Sequence, residues 1–184
     1  MKKNKLIFAV IFMFTVNTNA QITKGNWMVG GSGSFYKAKA GDQTSTTEGT
    51  GLNIYGNIGY FPINKVAIGF TPSVGYSKTN GNSEAGMGFG IGAFTRYYFL
   101  NPEKRINIFS HLEYRYTASY TGGFNTGSGN NFIIKAGPAI YFNSSVGLEV
   151  TLNYEDSIIK SKYGSDSTFN NLNIGVGFQI HLEK

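Results

Sequence analysis

The chain contains no cysteine, so disulfides, thiolate metal centres and cysteine nucleophiles are excluded together. Histidine is nearly absent too. His111 and His181 are the two in the chain, and they lack the close spacing of a metal pair, so neither a metal site nor a cofactor is expected. Long hydrophobic runs are missing as well. The main one, Leu6 to Val16, has eleven mostly apolar residues, well short of the roughly 20 a membrane helix requires. Charge is sparse, at 14% of residues. After the first few positions no basic stripe remains, which argues against nucleic-acid binding.

What is present begins with a short targeting pattern. Lys2, Lys3 and Lys5 precede the apolar run, and Asn17-Thr18-Asn19-Ala20 follows it, as in a secretory signal peptide cleaved after Ala20. Residues 1–20 are therefore expected to be removed, and residues 21–184 to form one domain. Loss of the three lysines would lower the formal charge from +6 to about +3, so much of the basic balance belongs to the signal.

The most informative stretch runs from Gly86 to Phe99. Read with a period of two, Met87, Phe89, Ile91, Ala93, Thr95, Tyr97 and Phe99 share one face, and Gly88, Gly90, Gly92, Phe94, Arg96 and Tyr98 the other. Alternate residues of a strand point to opposite sides of the sheet. A water-facing strand would carry Lys, Glu and Thr on its polar side. Glycine there weakens a strand unless that side is crowded, and a narrow barrel interior is crowded. The pattern predicts an apolar face toward lipid and an inward face packed with its own side chains.

The same alternation predicts eight strands, beginning near Asn26, Gly51, Val66, Gly86, Ile106, Asn131, Val146 and Asn171. Connections alternate between long and short: Ala38–Thr50, Lys78–Ala85, Thr121–Asn130 and Asp156–Ser167 against Pro62–Lys65, Leu100–Arg105 and Asn143–Ser144. An all-β, eight-stranded antiparallel up-and-down transmembrane barrel has this rhythm, with short periplasmic turns, longer outer loops and both termini in the periplasm. Tyr60, Tyr76, Tyr97, Phe99, Phe142 and Tyr154 fall near strand ends, where interfacial aromatic girdles are expected. Pro72 and Pro138 fall inside strands, where β-bulges are expected to accommodate them.

The charges are segregated. In the second to eighth strands the apolar parity carries none, whereas Arg96, Glu113, Arg115, Lys135, Glu149 and Glu155 all lie on the other. Three cations and three anions predict a mutually neutralising lumen network, because enclosed charge requires a partner. Tyr55, Phe94, Tyr98, Phe109 and Tyr141 point the same way. An eight-stranded barrel is just wide enough for side chains, so a plugged core is expected. A soluble lipocalin-type barrel would require the reverse, a charged exterior around an apolar calyx.

The chain resembles the small outer-membrane β-barrel proteins of Gram-negative bacteria, also called the porin family. The resemblance rests on the Ala20-Gln21 junction, the strand Gly90–Phe99, Gly137-Pro138-Ala139-Ile140-Tyr141-Phe142 and the last amphipathic strand. It implies an outer-membrane location, contact with outer-membrane lipid, and no fixed activity. Asn173–Ile180 resembles the signal read by the barrel-assembly machinery, although this chain ends in Leu182-Glu183-Lys184 rather than an aromatic.

Three functional readings follow: a monomeric structural barrel whose loops meet an unidentified ligand or partner, a narrow conduit for small solutes, and a lipid-modifying enzyme. The last finds little support. His111, Glu113 and Arg115 share a face, but no nucleophile stands at a fixed spacing from them. Gly88, Gly90 and Gly92 do not make a dinucleotide fingerprint, since no helix follows, and relief of crowding explains them better.

Overall fold

A computed structural model describes residues 22–41, 46–81 and 84–183. The expected signal peptide and its cleavage point lie outside the described residues. Eight antiparallel strands close into a barrel in sequence order: β1 (Trp27–Gly41), β2 (Thr46–Ile63), β3 (Val66–Thr79), β4 (Gly86–Tyr98), β5 (Ile106–Thr121), β6 (Phe124–Tyr141), β7 (Val146–Ser161) and β8 (Ser167–Leu182).

The exterior is apolar over a defined height. On β3, Val66, Ile68, Phe70, Val74 and Tyr76 face outward, and the next outward residue, Lys78, is charged. The same change occurs from Phe35 to Lys37 on β1 and from Tyr154 to Asp156 on β7. Val66 to Tyr76 spans roughly 33 Å of strand, which at a tilt near 45° is a belt of roughly 23 Å, close to the hydrocarbon band of outer-membrane barrels.

Several strands outrun the sequence expectation. The connection expected over Thr121–Asn130 is a hairpin with only Gly122 and Gly123 between β5 and β6. Both glycines have positive φ, 59° and 83°, the geometry of a two-residue turn whose twist matches the flanking strands. The β7 to β8 connection is likewise reduced to residues 162–166, so the expected contrast of long and short connections is absent. The gaps are 64–65, 99–105 and 142–145 at one end and 42–45, 80–85, 122–123 and 162–166 at the other, because strands rather than loops extend past the belt. Above the belt the strands continue with Ser, Thr, Asn and Gly, a composition that sequence reading assigns to loops.

The prolines also depart from expectation. Neither Pro72 nor Pro138 sits at a bulge. The register sums stay constant past both, and the β2–β3 and β6–β7 ladders simply skip the proline and its neighbour, from Tyr55↔Ser73 to Ile58↔Phe70 and from Ala136↔Leu152 to Ala139↔Glu149. A missing N–H removes a bond on one side only, so the other ladder runs on through Pro72↔Ile91 and Ile108↔Pro138. The irregularities lie elsewhere, at Tyr60/Ile63 and Ser119/Tyr120.

Seven ladders run most of the strand length, but the closing one does not. β1 pairs with β8 only from Trp27↔Leu182 to Gly31↔Phe178. Beyond those five pairs, β1 remains paired with β2 up to Gly41 and β8 with β7 down to Ser167. The wall therefore has a seam between β1 and β8, and its lower edge lies within the apolar belt.

Candidate functional site

The lumen is built in layers from the lower end, which carries the β2–β3, β4–β5 and β6–β7 turns. Ile22, Met28, Phe61, Tyr98, Phe109 and Tyr141 fill the lowest layer and are almost wholly buried. Ring centroids lie 6.1 Å apart for Phe61 and Tyr98 and 5.8 Å for Tyr98 and Phe109, within the range of favourable aromatic pairs. Ile22 is drawn in by its backbone, whose carbonyl accepts from the Lys65 N–H at 2.9 Å. His181 packs against Phe61 and Tyr141 at 5.6 and 5.5 Å.

Above this layer stands Arg96. Its guanidinium pairs with Glu149 across the lumen, donates to Tyr98 Oη at 3.2 Å, and lies 4.2 Å from the centre of the Phe109 ring. Gln179 donates to the second oxygen of Glu149 at 3.4 Å. Arg96 Nε also donates to His111 Nδ1 at 3.2 Å. With Nδ1 accepting, His111 Nε2 is placed to donate to Glu113 Oε2 at 3.2 Å, the arrangement of a neutral imidazole. Phe94 stacks on the same ring at 4.8 Å.

Glu113 is the hub. Besides His111 it receives Arg115, whose Nε donates to Oε1 at 2.7 Å, and Lys135, whose Nζ lies 3.3 Å from Oε2. Such charge-assisted bonds offset the cost of burying the carboxylate. Gly92 leaves room for this: a Cβ there would lie 2.7 Å from Glu113 Oε1. Gly90 is similarly confined by Ser73 and Thr117, whereas Gly88 faces open space, so crowding accounts for two of the three glycines.

Of the six charged residues expected in one network, the structure joins Arg96 to Glu149, and Arg115 and Lys135 to Glu113. Glu155 stands apart. Its neighbours in the sheet are Ile133 and Asn171 rather than a cation, and it accepts from Ser157 Oγ at 3.4 Å. Two carboxylates thus hold three cations, with His111 linking the groups. Strand parity alone does not reveal Gln179, Tyr98 and Asn131 as supporting partners. Asn131, expected at the edge of a loop, lies inside β6 and donates to the Arg115 carbonyl at 3.1 Å.

Higher still the lumen widens into a cavity of about 490 Å³, lined by Tyr55, Arg115, Lys135, Asn153, Glu155 and Asn173 among others. Arg115 lies 4.6 Å over the Tyr55 ring, and Asn153 donates to Asn173 at 2.9 Å. Outside, Tyr60, Tyr97 and Phe99 lie near the lower end, with Trp27 and Tyr60 centroids 5.2 Å apart and Tyr97 and Phe99 5.0 Å. Phe142 opens the short turn that returns to Val146. Tyr76 and Tyr154 mark the opposite edge of the belt.

A closed eight-stranded barrel, apolar outside and charged within, has the architecture of a small transmembrane β-barrel. No family model matches the chain, and no curated protein matches it in sequence. Solved structures match in shape. The outer membrane protein OprG from Pseudomonas aeruginosa aligns with 92% of this chain and 100% of its own at a TM-score of 0.56 and 10% identity. Neisserial surface protein A aligns over 88% and 98% at 0.48 and 15%, and the N-terminal barrel domain of Pseudomonas aeruginosa OprF over 86% and 98% at 0.46 and 16%. The likeness to OprG establishes the fold, a small closed up-and-down β-barrel.

Proposed function

We propose that the protein is an integral outer-membrane barrel whose lumen is closed at its lower end, and that it acts through the strand extensions and loops at the other end rather than by catalysis or transport. In this reading both termini and the β2–β3, β4–β5 and β6–β7 turns face the periplasm, and the strands that run on past the belt face outward. Tyr60, Tyr97, Phe99 and Phe142 meet one interface and Tyr76 and Tyr154 the other. β8 presents the strand read by the assembly machinery, and the barrel is monomeric.

The observation that carries this reading is the complete burial of Phe61, Tyr98 and Phe109 directly beneath the Arg96–Glu149 pair. A stack of rings capped by an ion pair leaves no continuous aqueous path. The test is planar-bilayer conductance of the folded protein. Absence of discrete steps is expected; steady channels would instead make it a conduit for small solutes.

A further inference from the structure

The seam and the cavity are one feature. The cavity is lined on one side by Ser32, Gly33 and Ser34 of β1 and on the other by Ile174, Gly175 and Val176 of β8, the residues just beyond the last rung of the ladder. The cavity therefore reaches the gap where the two strand edges are no longer paired. Ile174 and Phe35 are 76% and 74% exposed, against 54% for Ile91 at mid-belt. These flanking residues are apolar, so the gap faces hydrocarbon. Edge backbone groups left without a ladder partner in hydrocarbon are costly.

We propose that this seam is a lateral portal through which a single-chain amphiphile of the surrounding leaflet lodges its head in the lumen and leaves its tail in the membrane. This rests on the reading of the protein as a membrane barrel. The lining specifies the head. Arg115 and Lys135 are held by Glu113, and Glu155, which also lines the cavity, balances their remaining positive charge. Asn53, Asn153, Asn171, Asn173 and Tyr55, by contrast, offer amide and hydroxyl groups. That surface suits an uncharged head rich in hydroxyls or amides, with donors and acceptors in similar number. The tail leaves between Phe35 and Ile174, where apolar burial favours it.

The probe is dodecyl maltoside carrying a diazirine on its sugar, photolysed with the folded protein in phospholipid nanodiscs and mapped by peptide mass spectrometry. Label on Tyr55, Asn153 and Asn173, competed by unlabelled dodecyl maltoside but not by maltose, is expected. Were the ladder continued, Phe35 would fall opposite Ile174. The variant Phe35→Cys/Ile174→Cys, in a chain with no other thiol, should lose the lumen label on oxidation and regain it on reduction. Asn153→Phe, which fills the cavity, should lose it without any cross-link.

Label confined to lipid-facing residues, label unchanged in the oxidised variant, or equal competition by maltose would each overturn the portal. So would disulfide-linked dimers of Phe35→Cys, which would show that the edge pairs with a second copy. A protein that migrates as a heat-modifiable barrel in the outer-membrane fraction yet gives no lumen label fails the portal alone. Absence from that fraction fails the parent reading.

Discussion

Arg96 on β4 and Glu149 on β7, 53 positions apart in the chain, meet inside the barrel although β5 and β6 separate their strands. The pair is a strut across the lumen, held between Tyr98 below and His111 to one side. Arg96→Met should cost about 3 kcal/mol, the typical penalty for leaving a buried charge without its partner. Arg96→Met/Glu149→Met should recover most of that loss. Urea unfolding followed by fluorescence of Trp27, the sole tryptophan, measures both; equal losses in the single and double variants would deny the coupling.

Glu113 and Glu155 lie on the same parity but are expected to respond differently. Glu113→Gln leaves Arg115 and Lys135 without their carboxylate and should lower stability by about 3 kcal/mol. Glu155→Gln, outside the ion pairs, should change it by less than about 0.5 kcal/mol. Matched urea midpoints for the two variants would show that Glu113 is not the hub the geometry describes.

The exterior belt makes a third expectation. Ile91, outward at mid-belt and 54% exposed, should not tolerate charge: Ile91→Arg should destabilise by roughly 2–4 kcal/mol in a bilayer. Lys78→Ala, just past the belt, should be nearly neutral. Refolding into vesicles from urea distinguishes them.

Above the belt, Lys37 Nζ lies 3.1 Å from Glu48 and Lys39 Nζ 3.5 Å. The hydrogen bond and charge of Lys37 hold the Glu48 carboxyl below the usual glutamate range. Because the folded value is depressed, the pairing supports the folded hairpin above the unfolded glutamate pKa, and that support is lost as pH falls through the folded one. Carboxyl carbon NMR of Glu48 should show the low midpoint, and Lys37→Ala/Lys39→Ala should return it toward the ordinary value.

Strand number, order and facing are legible in the sequence because parity is a local property. Met87 to Phe99 declares its two faces without reference to any other strand. Which residues meet across the lumen is not local: Arg96 finds Glu149 through the stagger of three successive ladders, and no pattern within β4 or β7 encodes it. The same stagger places Glu155 beside Ile133 and Asn171. Above the belt both faces meet water, alternation fades, and Phe124–Asn131 reads as a loop although it continues β6. Pro72 and Pro138 misled for a different reason, since a ladder can lose a rung without shifting.

The five-rung ladder between Trp27 and Gly31 has a further meaning for how the polypeptide is wired. Every other neighbouring pair of strands is joined covalently by a turn at one end, which fixes its register. β1 and β8, the first and last of the described strands, have no turn between them and keep their register through their own ladder and packing. The weakest joint of the ring thus coincides with its only covalent break. A circularly permuted chain, linked from the end of β8 to the start of β1 and opened between Gly122 and Gly123, would move that break to β5 and β6 while keeping the cyclic order of strands.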